Sequence, residues 1–187
     1  MKLKLLILAL TILPSLTGMN VATAAKSDSC AHCHGTDGNS TSSAYPSLAA
    51  QTRDYLYRQM KDFKEGRRKN SMMSASIGVL SDQDMQDLAE YYSAQSIVRS
   101  KFDADPAKVE QGRKIAQEAQ CVACHQAGFK GLNEFPRLSR QKYPYIVKQL
   151  KDYRDGLRTN DNGVMAPTAK NLSDEQIEAL AHYLASI

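Results

Sequence analysis

The sequence predicts an all-α protein made of two tandem domains of similar structure. The second half of the chain repeats the first: RDYLYRQMKDFKEGRRKN at 53–70 matches YPYIVKQLKDYRDGLRTN at 143–160, at an offset of 90 residues. LSDQDMQDLAEYY at 80–92 likewise matches LSDEQIEALAHYL at 172–184. Apolar residues in both halves recur at helical spacing, and no run shows convincing alternation with the period of a strand. Matches that extend through both halves indicate a duplicated domain.

The first 24 residues have the layout of a bacterial secretory signal peptide. Lys2 and Lys4 precede an apolar run at 5–13, and the small residues ATA at 22–24 form a cleavage signal. The apolar run is too short for an ordinary membrane span. We therefore expect cleavage after residue 24 and a soluble protein in the periplasm. Retention of the segment as a membrane anchor is the alternative.

We place the first domain at 25–98, a linker at 99–107 and the second domain at 108–187. The segment around the linker, SIVRSKFDADPA, has mixed charge and a proline, which are common at domain boundaries. Two repeats of about 80 residues indicate two similar domains rather than a solenoid. A helix predicted over 106–120 opens the second domain, whereas its counterpart before the first cysteine, at 25–29, is expected to be missing or very short.

The central helix of each domain is predicted from its apolar spacing. Residues 55–63 follow the helical period and are followed by Gly66, a suitable stop. Residues 145–153 repeat the arrangement before Gly156. The sequence therefore predicts one central helix in each half.

The last helix of each domain has a recognisable start. Ser81 is followed three residues later by Asp84, and Ser173 by Gln176. A hydroxyl residue followed three positions later by an acid or amide is the capping-box arrangement, and apolar residues at helical spacing come after both pairs. We therefore expect helices to begin at 82 and 174.

Charge excludes one class of partner. The chain has 24 basic and 20 acidic residues, and removal of Lys2 and Lys4 with the signal peptide leaves a formal charge of +2. Nothing resembles the concentrated basic face that binds a phosphate backbone, so we expect no nucleic acid partner. The basic residues Lys64, Arg67, Arg68 and Lys69 are a candidate docking patch for a partner, but we favour a solvated helix end, because cations suit a helix C-terminus.

All four cysteines lie in two pentapeptides, CAHCH at 30–34 and CVACH at 121–125. A disulfide between cysteines so close in sequence would close a tiny loop and stabilise little. A thioredoxin-like redox pair would usually lie near a βαβ unit, and zinc would find an awkward set of two cysteines and one adjacent histidine in each half. Cys-x-x-Cys-His is instead the signature of c-type haem attachment.

The two thiols of each motif are spaced to add to the two vinyl groups of one haem. We therefore predict two covalently attached haem c groups. The attachment residues would be Cys30, Cys33, Cys121 and Cys124.

The axial ligands of the two irons can be predicted from the repeat. His34 and His125 follow the cysteines and are expected to provide one nitrogen each. Of the seven methionines, only Met73 and Met165 correspond to each other, each seven residues before a Leu-Ser-Asp motif. We predict them as the second ligands, in loops between helices, because a His/Met pair favours electron transfer. Met72 is the fallback in the first domain.

Two prolines and two further histidines complete the candidate residues. Pro46 and Pro136 occupy comparable positions after their motifs. A metal-bound imidazole normally donates its other N–H to an acceptor, so each proline carbonyl is a candidate, although a loop-shaping role fits equally well. His32 and His182 have no histidine counterpart, and we expect a surface residue and a residue that caps or decorates the last helix.

Together these features resemble the dihaem cytochromes c4. The resemblance is carried by the two CxxCH motifs, by YPSL and FPRL, by QMKDFKEG and QLKDYRDG, by GRRKN and GLRTN, and by the methionine before each LSD. It covers essentially the whole mature chain. It implies two class I cytochrome c domains, each wrapped around one covalently bound haem, with the haems close together at the domain interface.

The resemblance also implies a function and partners. The protein would be a periplasmic electron carrier rather than an enzyme, with a quinol-oxidising complex or other donor, a terminal oxidase as acceptor and a transient association with the membrane surface. The curtailed segment before the first motif is a departure from the family. It leaves open a second interpretation, the dihaem cytochrome subunit of a flavocytochrome c sulfide dehydrogenase. A haem enzyme such as a peroxidase would need an open or displaceable sixth ligand.

Overall fold

A computed structural model describes residues 21–99 and 101–187 of the chain. Within these ranges the chain forms nine α-helices and one short 3-10 turn, and its only β-pairing is an isolated bridge between Leu132 and Phe135. The prediction of an all-α protein is confirmed. No helix in the described ranges is long and apolar enough to cross a membrane.

The helices follow the repeat. The first half contains α1 (Val21–His34), α2 (Arg53–Lys64), α3 (Ser71–Gly78) and α4 (Asp82–Ser93). The second half contains α5 (Pro106–Glu118), α6 (Val122–His125), the 3-10 turn (Ala127–Phe129), α7 (Tyr143–Arg154), α8 (Met165–Ala169) and α9 (Asp174–Ser186). Helices α2 and α7 therefore correspond, as do α4 and α9.

Both predicted capping boxes are present. The Ser81 hydroxyl accepts the backbone N–H of Asp84, and the Asp84 carboxylate accepts the backbone N–H of Ser81. Ser173 and Gln176 make the same reciprocal pair at the start of α9. Because a cap satisfies N–H groups that the first turn leaves without partners, these residues fix where the two helices begin.

The ends of the central helices are also confirmed. Helix α2 ends at Lys64 and α7 at Arg154, and each is followed by a glycine with positive φ, +75° at Gly66 and +70° at Gly156. A residue without Cβ adopts this left-handed conformation without strain, so it reverses the chain after a helix.

The expectation of a missing helix before the first cysteine motif was wrong. Helix α1 runs from Val21 through Cys30 to His34 without a break. In the second half, α5 ends at Glu118 and the separate short helix α6 follows Cys121. The first four residues of α1 belong to the predicted signal peptide, and the rest of that signal lies outside the described residues.

Tertiary contacts explain why this segment is helical. Lys26 forms an ion pair with Asp84 of α4, and the Tyr92 hydroxyl donates to the backbone carbonyl of Ser27 at 3.4 Å. A helix of this length is marginal by itself in water, so contacts with the neighbouring helix decide whether it forms. Such contacts are not visible in the local sequence.

The predicted linker packs against the second domain. Phe102 stacks on Tyr143 of α7, with ring centroids 5.3 Å apart, and both rings contact His182 of α9. The His182 ring nitrogen Nδ1 accepts the backbone N–H of Asp105 at 3.2 Å. The last histidine is therefore a packing residue of α9, in keeping with its predicted structural role.

Helix α5 crosses α9 at a glycine. A Cβ atom at Gly112 would lie 2.1 Å from the carbonyl oxygen of Ala179 and 2.9 Å from the Cβ of Tyr183. Both distances are far below van der Waals contact, so only a residue without a side chain allows the helices to approach this closely. Helix α9 is buried at Ile177, Ala179, Leu180, Ala181, Leu184 and Ala185.

We expect Gly112→Ala to lower the free energy of unfolding by about 1–3 kcal/mol, because the added methyl group forces α5 away from α9. The matched control is Gly78→Ala at the end of α3, where a Cβ would meet no atom within 4 Å. That change should be neutral or stabilise by up to about 1 kcal/mol. Urea unfolding followed by circular dichroism measures both. Equal stability of the two variants would contradict the close crossing.

Candidate haem sites at the domain interface

Each motif histidine is buried and held by the predicted proline carbonyl. The ring nitrogen Nδ1 of His34 lies 2.9 Å from the carbonyl oxygen of Pro46, and Nδ1 of His125 lies 2.9 Å from that of Pro136. A carbonyl oxygen can only accept, so Nδ1 carries the proton in both rings. The unprotonated Nε2 is thereby left to bind a metal.

The environment keeps both imidazoles neutral. Burial lowers the pKa of His34 and of His125 below the ordinary value, and the hydrogen bonds to the proline carbonyls oppose this only in part. A neutral imidazole is the form that ligates a metal, because protonation would occupy the lone pair of Nε2. By contrast, His32 lies on the surface, as predicted.

One cavity of about 820 Å³ is lined by both of these histidines and by all four cysteines. All four cysteines are half-buried. Before haem attachment, burial raises the pKa of the Cys30 and Cys121 thiols above the ordinary value. Much of the remaining wall is apolar and comes from both domains: Leu48, Leu56, Leu88, Leu138, Ile146 and Leu184.

The predicted methionine ligands line the same cavity but do not lie in loops. Met73 is in the first turn of α3, and Met165 is the first residue of α8. The prediction of loop positions was wrong, because short helices follow both turns. Met72 also lines the cavity, but its side chain is 53% exposed, whereas Met73 is only partly exposed. Burial thus favours Met73 over the fallback.

Two polar residues that the sequence did not reveal accept hydrogen bonds from the backbone at the methionines. The side-chain oxygen Oδ1 of Asn70 accepts the backbone N–H of Met73 at 3.0 Å. In the second domain the Asp161 carboxylate accepts the backbone N–H of Met165, and that of Ala166 at 2.8 Å. The only signals in the sequence are an Asn three residues before Met73, which is the spacing of a helix N-cap, and an Asp four residues before Met165.

The Asp161 carboxylate is also electrostatically favoured. Burial by itself would raise the pKa of Asp161, but the backbone N–H groups of Ala166, Gly163 and Met165 lower it below the ordinary value. The group is therefore ionised at neutral pH, which strengthens its hydrogen bonds to these donors.

Two arginines connect the domains in a reciprocal arrangement. Arg68 of the first domain donates to the hydroxyl of Tyr145 at 2.9 Å and to Oε1 of Gln149 at 2.8 Å. The interpretation of this basic stretch as a solvated helix end was therefore wrong for Arg68. Arg158 of the second domain donates to the hydroxyl of Tyr55 at 3.1 Å, so each arginine reaches the tyrosine of the other domain.

The guanidinium groups of Arg68 and Arg158 donate mainly to neutral side chains rather than to carboxylates. Burial alone would raise the pKa of Tyr55, but the guanidinium groups of Arg158 and Arg68 lower it to about 8. Arg58 lines the cavity as well, and its Nε is buried without a hydrogen-bond partner in the part of the chain that the structure describes. Cations and an unsatisfied donor in a cavity wall suit a ligand that brings carboxylates.

The residues present therefore fit two haem c groups. The cavity offers thiols for the vinyl groups, neutral imidazoles and thioethers for iron, apolar walls for the macrocycles and arginines for the haem propionates. Because residues of both domains form one cavity, the two haem sites adjoin each other at the interface.

Comparison with known proteins agrees with this chemistry. A family model described as cytochrome c matches residues 19–94 and 109–187. Cytochrome c4 of Pseudomonas aeruginosa is 39% identical over 194 aligned positions, which cover 98% of this chain and 96% of that protein. A thiosulfate dehydrogenase electron acceptor of Thiomonas intermedia is 34% identical, and the alignment covers 84% of this chain and 78% of that protein.

Solved structures agree as well. The crystal structure of reduced recombinant cytochrome c4 from Pseudomonas stutzeri matches with a TM-score of 0.81 at 37% identity, over 88% of this chain and 96% of that chain. The sequence match and the structural match thus cover both domains. The chain belongs to the cytochrome c4 group of the cytochrome c family: it is an electron-transfer protein, not an enzyme, with two covalently attached haem c groups.

Proposed function

We propose that this chain carries electrons between respiratory-chain complexes in the periplasm through two His/Met-ligated haems. The observation that carries the proposal is the pair of buried histidines, each 2.9 Å from a proline carbonyl, in one cavity that also contains Met73 and Met165. The periplasmic location rests on the predicted signal peptide at 1–24.

Each residue of the site has a role in the proposal. When bound, a haem supplies a reversible one-electron couple. Cys30 and Cys33 tether the first haem and Cys121 and Cys124 the second, each pair through two thioether bonds. His34 and Met73 would hold the first iron, and His125 and Met165 the second, since all four line the cavity. With a histidine and a methionine to hold each iron, the site would favour electron transfer over oxygen chemistry.

We keep the domain limits of 25–98 and 108–187, with a linker at 99–107. The two matches of the family model, at 19–94 and 109–187, support this division. The donor would be a quinol-oxidising complex or another reductant, and the acceptor a terminal oxidase. Docking would be transient, with partners or at the membrane surface, as is usual for proteins that exchange electrons by collision.

A second candidate function is that of electron acceptor for a thiosulfate-oxidising enzyme. The Thiomonas relative carries that description and is 34% identical. A subunit of flavocytochrome c sulfide dehydrogenase stays a prediction from the sequence, with no structural feature that favours it. These alternatives share the two haem sites and differ in the donor and in whether the chain diffuses freely or stays bound to a catalytic partner.

We expect Met73→Ala and Met165→Ala each to remove one of two equal contributions to the far-red absorption of methionine-bound ferric haem. The potential of the affected centre should fall, because a thioether ligand raises it. Met60→Ala is the matched control, since Met60 lines the cavity and aligns with Leu150. Redox titration of the purified holoprotein measures both effects. A full far-red band in Met73→Ala with half a band in Met72→Ala would assign Met72 instead.

Loss of the side chain that accepts the methionine N–H should release the methionine from iron before the domain unfolds. We expect Asp161→Ala to cost about 0.5–2 kcal/mol, confined to the segment that holds Met165, and Asn70→Ala to act likewise on Met73. Urea titration of the far-red band against circular dichroism separates the two events. Ser173→Ala removes a distant cap of α9 and should lose band and helix together. Coincident transitions in Asp161→Ala would contradict the positioning role.

The donor can be tested directly with purified partners. We expect the oxidised holoprotein to be reduced by a quinol-oxidising complex faster than by a thiosulfate dehydrogenase by about tenfold or more, and to be oxidised by a terminal oxidase, because docking is selective. Stopped-flow rates over a range of ionic strength measure this. Faster reduction by the thiosulfate enzyme would favour the second candidate, and reduction by neither would contradict both.

A further inference from the structure

A single peptide group connects the first histidine to the second domain. The carbonyl oxygen of Pro46 accepts Nδ1–H of His34 at 2.9 Å. The N–H of the same peptide group, which belongs to Ser47, donates to Oε1 of Gln141 at 2.8 Å. Gln141 in turn donates from Nε2 to the carbonyl of Ser47 at 2.9 Å. The motif histidine of the first domain is therefore two hydrogen bonds away from a glutamine of the second.

The second histidine has the mirror-image connection. The carbonyl oxygen of Pro136 accepts Nδ1–H of His125 at 2.9 Å, and the N–H of that peptide group, which belongs to Arg137, donates to Oε1 of Gln51 at 2.6 Å. Nε2 of Gln51 donates to the Arg137 carbonyl at 3.0 Å. Gln51 and Gln141 are 90 residues apart, the offset of the repeat, so duplication has produced two crossed chains of hydrogen bonds.

Both glutamines are fixed in this role. Each side chain is 5% exposed, so water does not compete for its hydrogen bonds. The backbone N–H of the other domain must face Oε1 and the backbone carbonyl must face Nε2, which leaves one orientation of each amide. Arg137 adds a further clamp, since its guanidinium donates to the carbonyls of Ala49 and Ala50 at 2.8 and 3.0 Å.

Hydrogen bonds in such a chain reinforce one another. When the N–H of a peptide group donates, its carbonyl oxygen becomes more negative and accepts more strongly. A stronger acceptor at Nδ1–H increases the basicity of the imidazole and hence its electron donation to a bound metal. Each glutamine therefore acts on a histidine that it does not contact, through the intervening peptide group.

We propose that Gln141 and Gln51 are positioning residues that act across the domain interface: Gln141 strengthens the hydrogen bond of His34, and Gln51 strengthens that of His125. The inference rests on the proposed function, because both histidines must be axial ligands for the effect to reach the haem iron. It follows that each domain tunes the reduction potential of the other, and that separation of the domains alters both potentials.

The test uses the complete holoprotein with ¹⁵N-labelled histidine. In the reduced, diamagnetic state, Gln141→Met should move the Nδ1–H resonance of His34 upfield and leave that of His125 in place. Gln51→Met should do the reverse. Redox titration resolved by domain should show a raised potential only at the centre opposite the substituted glutamine, because a weaker hydrogen bond makes the imidazole a poorer donor.

Two further variants separate this effect from a loosened interface. Glu134→Gln removes the bridge from Arg58 of the other domain, 3.3 Å long, without touching either peptide group, and should leave both resonances in place. Gln141→Glu in its protonated form keeps one acceptor and one donor in the same positions. It should therefore keep the wild-type resonance of His34, in contrast to Gln141→Met.

The outcomes distinguish a failure of this inference from a failure of the proposed function. Shifts that are confined to the histidine of the other domain support this inference. Equal shifts at both histidines in each variant, or no shift in either, would overturn it while leaving the electron carrier intact. A wild-type holoprotein without two His/Met-ligated irons would instead contradict the proposed function itself.

Discussion

The site depends on the hydrogen bond from each buried motif histidine to a proline carbonyl. This one contact places the proton on Nδ1, fixes the ring of His34 or His125, and leaves Nε2 free for a metal. Burial lowers the pKa of both imidazoles and keeps them neutral. The cysteines, the methionines and the apolar wall can form a haem site only because each imidazole is neutral, with Nε2 unprotonated and oriented by the proline carbonyl.

Duplication gives this contact a second consequence. The loops that carry the two proline carbonyls meet at the domain interface, where crossed hydrogen bonds from Gln51 and Gln141 join them. Arg68 and Arg158 repeat the crossing on the neighbouring helices. The symmetry is incomplete, because Arg137 corresponds to Ser47 and brings a buried cation to one side only. Two similar domains can thus hold their haems in different electrostatic surroundings.

The sequence predicts what local rules and the repeat determine. The capping box at Ser81 and the carbonyl of Pro46 are examples, since short spacing limits which groups can meet. The helix before Cys30 was not predicted, because contacts with α4 stabilise it. The partner of Gln141 lies 94 residues away, at Ser47, and nothing in the local sequence marks that pairing. Contacts between domains depend on how the two repeats dock, which a motif does not encode.

The central claim is that each of two irons is bound by one imidazole and one thioether in a duplicated helical protein. Near-infrared magnetic circular dichroism of the oxidised holoprotein tests it most directly, since the energy of the charge-transfer band differs among axial ligand pairs. We predict that every iron in the chain contributes to a single His/Met band. A band from two nitrogen ligands, or a high-spin signal from either iron, would contradict the claim.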